Sequence, residues 1–186
     1  PPNDDYIIVS IDLSQIELRI GAHYSQDPIL MNAYTVGEDV HTRTAAEVFS
    51  VEYESVTQEQ RYAAKPINFG IFYGIGVTKL ARQIKRSEEE ARHYKDMFFM
   101  RYEGIADFIR RTEKLVAKVG YSKNYFGRIR RLPFLQDAFI PDWQRQRGYR
   151  QGVNFLIQST AADLFKIVMI RCRKILQGYR TKMVLN

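Results

Sequence analysis

Residues 57–76 read T-Q-E-Q-R-Y-A-A-K-P-I-N-F-G-I-F-Y-G-I-G, and the spacing within them predicts the helix on which the rest of the chain is arranged. Thr57 and Gln60 stand in the relation of a capping box, an N-cap hydroxyl with a side chain three residues on that can reach back to it. Gly74 and Gly76 supply the end, so the helix covers residues 57–74. Pro66, near its middle, deletes the hydrogen bond to the Tyr62 carbonyl and predicts a kink. Arg61, Lys65, Phe69 and Tyr73 recur every four residues, and at about 100° per residue the four stay along one face. Two readings fit two cations followed by two rings. One is a pair of snorkelling cations above a core Phe and Tyr. The other is a groove for a ligand with an anion at one end and a flat ring at the other, as in a nucleotide.

The pattern R-x-x-x-K-x-x-x-F-G-x-x-Y-G closely resembles motif B of family A DNA polymerases, the DNA polymerase I family, in which this helix covers the incoming nucleotide. A second motif lies upstream. Residues 6–11, Y-I-I-V-S-I, form a β-branched, nearly continuous apolar run that reads as a buried strand. Asp12 ends it, and L-S-Q-I-E-L-R-I follows as a helix with Ile16, Leu18 and Ile20 inward. Taken alone, Asp12 reads first as a helix N-cap. D-x-S-Q-I-E-L-R, however, resembles motif A of the same family. That resemblance implies Asp12 as a ligand of the catalytic metals, the Leu13 backbone carbonyl as another (Tyr is usual at this position), and Glu17 as the block to a ribose 2′-hydroxyl. Glu17 is also long enough to reach Tyr73.

The chain has 186 residues, is 45% hydrophobic and carries a formal charge of +7. That is enough apolar content for a real core, and the charge favours a polyanionic partner. The single cysteine, Cys172, excludes an internal disulfide framework, gives no zinc pattern and reads as a buried thiol. No run reads as long enough to span a bilayer, and the N-terminus lacks a signal-peptide layout. A reducing, cytoplasm-like compartment is therefore the default. Both ends read as interrupted: residues 1–5 run straight into the first strand, and Met183-Val184-Leu185-Asn186 opens an apolar strand. The expectation is a piece of a larger protein.

Asp27-Pro28 marks a turn into a helix that Gly37-Glu38-Asp39 breaks, and V-H-T-R-T-A-A-E-V-F from Val40 is another helix. His41 reads by default as an ordinary satisfied histidine; the resemblance implies contact with the nucleotide phosphates. Residues 77–85 form a short helix. Ser87 opens a further one with a capping box, Ala91, Tyr94, Phe98 and Tyr102 facing inward. After Gly104, Ile105, Phe108, Ile109, Val116 and Val119 supply the next apolar face. These last two helices read as scaffold. Y-S-K-N-Y-F-G-R-I-R-R-L-P reads as a ribbon turning at Gly127 that gathers Arg128, Arg130 and Arg131. It is either a solvated basic turn or a phosphate clamp, and it resembles the family's template-holding segment with Ile129 in place of a usual Arg. Residues 142–158 read as a polar helix with Arg147, Arg150, Gln151, Asn154 and Gln158 on one side, suited to the minor-groove acceptors that every base pair presents. R-x-x-x-N-x-x-x-Q followed by T-A-A-D resembles the family's primer-terminus segment. Residues 160–177 read as a separate amphipathic helix, with Leu164, Phe165, Val168, Met169, Cys172, Ile175 and Leu176 packing on a sheet.

The resemblance covers nearly the whole chain. It implies an α+β, mostly helical fold: a fingers subdomain attached to an incomplete antiparallel palm sheet. Residues 1–36 are palm with the motif A strand and helix, 37–140 fingers, and 141–186 palm with the primer-terminus helix. It implies template-directed addition of deoxynucleotides to a primer 3′ end by two-metal phosphoryl transfer. Two Mg²⁺ ions would be bridged by Asp12, with Lys65 catalytic as a candidate proton donor to pyrophosphate. His41, Arg61, Lys65, Phe69, Tyr73 and Glu17 would hold the nucleotide, and Arg128, Arg130, Arg131, Arg150, Asn154 and Gln158 the DNA. The partners implied are primer–template DNA, deoxynucleoside triphosphates and the remainder of a polymerase chain, with no membrane. The family's next motif, V-H-D-E, carries the second metal ligand and would begin after residue 186, so the chain alone is expected to be inactive. The implied location is cytoplasmic, of bacterial or phage-like origin, with an organelle the other possibility. A single-subunit RNA polymerase is the nearest alternative, disfavoured by Glu17; a non-catalytic nucleic-acid-binding module is the other.

Overall fold

The computed structural model describes residues 7–184. Among them are eight α-helices and one two-stranded antiparallel ribbon. The helices are α1 Ile16–Ser25, α2 Pro28–Val36, α3 Val40–Phe49, α4 Gln58–Phe72, α5 Val77–Ile84, α6 Glu88–Arg101, α7 Glu103–Val119 and α8 Asp142–Ile175. Strands β1 Tyr121–Lys123 and β2 Ile129–Arg131 pair Tyr121 with Arg131 and Lys123 with Ile129.

Helix starts follow local chemistry. Thr57 and Gln60 close a capping box on α4, and Ser87 and Glu90 close one on α6. Asp39 caps α3 through Thr42 N–H, and Asp27 caps α2 with Pro28 at the first helical position. α4 runs through Pro66 without interruption. It ends in a Schellman motif: Ile75 N–H donates to Gly70 O at 2.8 Å and Gly74 N–H to Ile71 O at 2.9 Å. Gly74 takes the left-handed conformation this requires, φ 63°.

α3 lies along α4, and α5 and α6 close over them; α1, α7 and α8 form a second packed group carrying the ribbon. One continuous core joins the two groups, with Leu18, Ile67, Ile71, Phe98, Tyr102, Ile105 and Ile157 all buried. A smaller cluster of Val116, Leu132 and Leu135 sits beneath the connection from the ribbon to α8. Tyr24 ties three parts together. Its hydroxyl accepts from Tyr125 N–H at 2.8 Å and lies 3.0 Å from Thr160 Oγ1, while its ring stacks on Phe108.

The fold is mostly helical with a small antiparallel sheet, as expected, but the strands lie elsewhere. The expected strand over residues 6–11 does not form in its described part. Residues 7–13 have no regular structure, and Ile7, Ile8, Val9 and Ile11 are 70–89% exposed. No strand among the described residues lies beside them to complete a ladder. Met183 and Val184 are likewise not in a strand, and Leu185 and Asn186 lie outside the described residues. Gln15, not Asp12, is the N-cap of α1, without a side-chain cap bond.

The two helices expected over 142–158 and 160–177 are one. Ser159 and Thr160 do not break it because their hydroxyls donate to the carbonyls of Phe155 and Leu156, four residues back. As a single helix its most apolar stretch reaches a mean hydropathy of 1.4, long and apolar enough for a bilayer span by length and composition, where the separate segments do not read as one. Val153, Leu156, Ile157 and Ala161 are nonetheless buried in the core. Among the described residues no sheet lies under its second half: Phe165, Ile167, Ile170 and Ile175 are exposed and Cys172 is only half-buried.

Asp27 has no exposed surface. Its Oδ1 accepts from Ile29 and Leu30 N–H, and its Oδ2 accepts from Gly104 N–H at 2.9 Å, across the fold at the start of α7. A Cβ on Gly104 would stand 2.7 Å from Asp27 Cα, so only glycine allows this approach. Asp27→Ala removes a helix cap and leaves a buried amide unpaired. The expected cost is roughly 2–4 kcal/mol, read as a lower urea midpoint with an unchanged slope.

Candidate functional site

Arg61, Lys65, Phe69 and Tyr73 occupy successive turns of α4, as their spacing requires. At the cationic end, Arg61 makes a two-pronged bond to Asp39, Nε to Oδ1 at 3.2 Å and Nη2 to Oδ2 at 2.9 Å. Asp39 Oδ1 also accepts from the amide and hydroxyl of Thr42. Burial alone would raise the Asp39 acid, but the bonds from Arg61 and Thr42 and the Arg61 charge outweigh it and hold it at about 2. Lys65 lies with its ammonium 4.8 Å from the Tyr62 ring centre.

α3 delivers His41 to the same face. The imidazole is 5% exposed, and its ring centre is 5.8 Å from that of Phe69. Burial lowers its pKa; Asp39 opposes this, and the charges of Arg61 and Lys65 lower it further. Behind it runs a chain of buried polar groups. Asn68 Nδ2 lies 3.0 Å from His41 Nδ1, Thr44 Oγ1 donates to Asn68 Oδ1 at 2.8 Å, and the Tyr102 hydroxyl lies 2.9 Å from Thr44 Oγ1. The structure thus brings His41, Arg61, Lys65 and Phe69 together.

At the aromatic end, Phe69 and Tyr73 border an open cleft of about 510 Å³ with Lys79, Gln83 and Arg150. Arg150 comes from α8 and lies against Gly74; a Cβ there would stand 2.3 Å from its Cδ. Lys95 of α6 donates to the Ile75 carbonyl at 3.1 Å, and burial lowers its pKa. Lys95 was not visible in a helix that reads as scaffold. The only signal was a lysine one position from the inward Tyr94. Asn68 left a clearer trace, a polar residue between Ile67 and Ile71 on the inner face of α4.

The remaining expected residues are spread over other surfaces. Asp12 is exposed, in the segment before α1, and the Leu13 carbonyl accepts Ile16 N–H at 3.3 Å. No group of three or more His, Cys, Asp or Glu side chains placed to hold a metal occurs among the described residues. Glu17 is half-buried, which raises its pKa, and no hydrogen bond joins it to Tyr73. On the ribbon, Arg130 and Arg131 are exposed, whereas Arg128 is bonded to Asp163 of α8, Nη2 to Oδ1 at 2.6 Å. Asn124 supports that carboxylate from the turn at 2.9 Å. The Arg128 and Asn124 bonds hold the Asp163 acid at about 2. Along α8, Arg147, Arg150 and Gln158 are exposed. Gln151 and Asn154 are half-buried, and the Asn154 amide oxygen is buried with no partner.

The sequence model of DNA polymerase family A matches residues 1–186. The chain is 39% identical over 191 residues to DNA polymerase I of Streptococcus pneumoniae (strain R6), covering 100% of this chain and 21% of the relative. It is 41% identical over 165 residues to DNA polymerase I of Pseudomonas aeruginosa, covering 89% and 18%. Among solved structures, the POL domain of Pol1 from M. smegmatis, in complex with DNA primer–template and dNTP, superposes with a TM-score of 0.85 at 37% identity. That match covers 94% of this chain and 31% of that one. The chain spans about one fifth of the length of these curated relatives.

Asp39 and Asp163 give the fold a defined acid sensitivity. Their folded pKa values, about 2, lie below the ~3.9 of an unfolded aspartate. Their contribution is therefore complete above pH ~4 and is lost as pH falls toward 2. Urea denaturation across that window should show falling stability, and Asp39→Asn should be less stable at pH 7 with a shallower pH dependence.

Proposed function

The chain belongs to DNA polymerase family A, and on that premise we propose that it is the part of a template-directed DNA polymerase that binds the incoming deoxynucleoside triphosphate and contacts primer–template DNA. The observation that carries the reading is the joining of His41, Arg61 and Lys65 to Phe69 and Tyr73 on one surface of α3 and α4, cations at one end and rings at the other. Cations followed by rings match the charge order of a nucleotide. The M. smegmatis structure, which holds DNA and dNTP, supports it by its likeness in fold.

In this reading Lys65 and Arg61 offset triphosphate charge as primer 3′-oxygen attack releases pyrophosphate, with Lys65 placed to give the leaving group a proton. Arg61 is already bonded to Asp39. A phosphate entering there shares or replaces that carboxylate, so Asp39 tempers the affinity. Phe69 and Tyr73 shape the sugar and base pocket, and Glu17 stands against the 2′-carbon. Arg130, Arg131 and the exposed Arg150 and Gln158 meet DNA. Arg128 serves first to fasten the ribbon to α8. Metal dependence belongs to the family, and Mg²⁺ would lower the pKa of the primer hydroxyl and neutralise the leaving group. Asp12 and the Leu13 carbonyl do not by themselves make a two-ion site, and each would supply one ligand.

Sugar selection tests the pocket. In the polymerase that carries this chain, Glu17→Ala should admit ribonucleotides and Phe69→Tyr should admit dideoxynucleotides, each by a few kcal/mol of discrimination. Competition assays in which both variants reject these substrates as wild type does would remove the residues from the sugar.

DNA contact has its own test. Arg130→Ala with Arg131→Ala should weaken primer–template binding equally across sequences and lower the salt slope by about two units. An unchanged slope would make the ribbon a solvated turn.

A further inference from the structure

His41 is held by a one-directional chain of hydrogen bonds. Thr44 spends its only hydroxyl proton on Asn68 Oδ1, so the Tyr102 hydroxyl must be the donor to Thr44. With Asn68 Oδ1 committed as acceptor, its amide nitrogen faces His41 Nδ1 and can only donate. Nδ1 is therefore an acceptor and carries no proton. Thr44 and Tyr102 are 0% exposed, and Asn68 is 2% exposed. Water therefore offers no alternative partner, and reversing any link would leave a buried group unpaired. The remaining ring nitrogen, Nε2, makes no hydrogen bond among the described residues and is absent from their buried unpaired atoms, so it faces solvent.

We propose that Tyr102, Thr44 and Asn68 are positioning residues that lock His41 in its neutral Nε2–H tautomer, presenting one fixed N–H donor to a phosphate oxygen rather than a cation. The donor's use by a triphosphate rests on the function proposed above; the lock does not. A positively charged ring would need Nδ1–H, which faces an amide N–H, so the lock disfavours the charged form. The charged groups around the ring are Asp39 at the N-cap of α3 and Arg61 and Lys65 on α4; the two cations also disfavour the charged ring, whereas Asp39 favours it. Burial raises the Tyr102 phenol, so its hydroxyl stays a donor throughout the working range.

The test is nitrogen NMR of the histidine rings. The chain has only three histidines, and the spectrum of His41→Gln assigns this one. Wild type should show a single neutral Nε2–H ring, protonating below the ordinary ~6.5, with a scalar coupling between His41 Nδ1 and Asn68 Nδ2 across their hydrogen bond. Asn68→Asp, nearly isosteric, replaces the donor with an acceptor and should pull a proton onto Nδ1. Thr44→Val frees the amide to turn over and should give a mixture of tautomers. An Nδ1–H ring in wild type, no coupling, or an unchanged ring in Asn68→Asp overturns the lock; the wild-type measurements need no variant to fold. Titration with dATP separates the two claims. His41→Gln should weaken dATP binding roughly two- to tenfold, the loss of one hydrogen bond. Unchanged affinity beside an intact Nε2–H ring removes the phosphate contact and leaves the lock standing.

Discussion

A carboxylate with no access to water has to be surrounded by donors, and Asp27 gathers its donors from two distant parts of the chain. It caps α2 through two amides and holds the first turn of α7 through a third. Breaking one link would leave a charge uncompensated in the interior, so the entry angles of α2 and α7 are fixed together. α7 in turn carries α8 and the ribbon, and α2 leads directly into α3. The two helical groups that carry the functional side chains are thus registered against each other at one buried group.

The surface of α3 and α4 is electrostatically balanced by design of its caps. Asp39 caps the start of one helix and neutralises a cation on the next, so the cationic end of the groove is less positive than Arg61 and Lys65 alone suggest. Arg128 and Asp163 repeat the arrangement between ribbon and α8. In both pairs a carboxylate holds an arginine from elsewhere in the chain, Asp39 while capping α3 and Asp163 while also accepting from Asn124. The +7 charge is therefore expressed by the remaining cations, among them Lys65, Arg130, Arg131 and Arg150.

What could be read in the sequence was what short-range physics decides. Thr57–Gln60 and Ser87–Glu90 each announced a helix because both partners of the capping box lie within four residues. The period-four face of α4 was legible for the same reason. The residues 6–11 run was misread because a strand exists only by pairing, and its apolar pattern says nothing about whether a partner is present. Ser159 and Thr160 hid the continuity of α8: the same hydroxyls favour turns or bond back within a helix, depending on packing. Arg61 with Asp39, 22 residues apart, and Thr44 with Tyr102, 58 apart, could not be paired from spacing, which is why Arg61 read as a free cation and Tyr102 as plain core.

The exposed apolar side chains of the second half of α8 have a colloidal consequence. Phe165, Ile167, Ile170 and Ile175, with the uncovered Ile7, Ile8, Val9 and Ile11, give two copies of the chain a reason to adhere. What keeps copies apart is mutual repulsion from the net positive charge. Salt shortens that repulsion to about 8 Å at physiological ionic strength and leaves the adhesion untouched. Dispersed chains should therefore cluster as ionic strength rises.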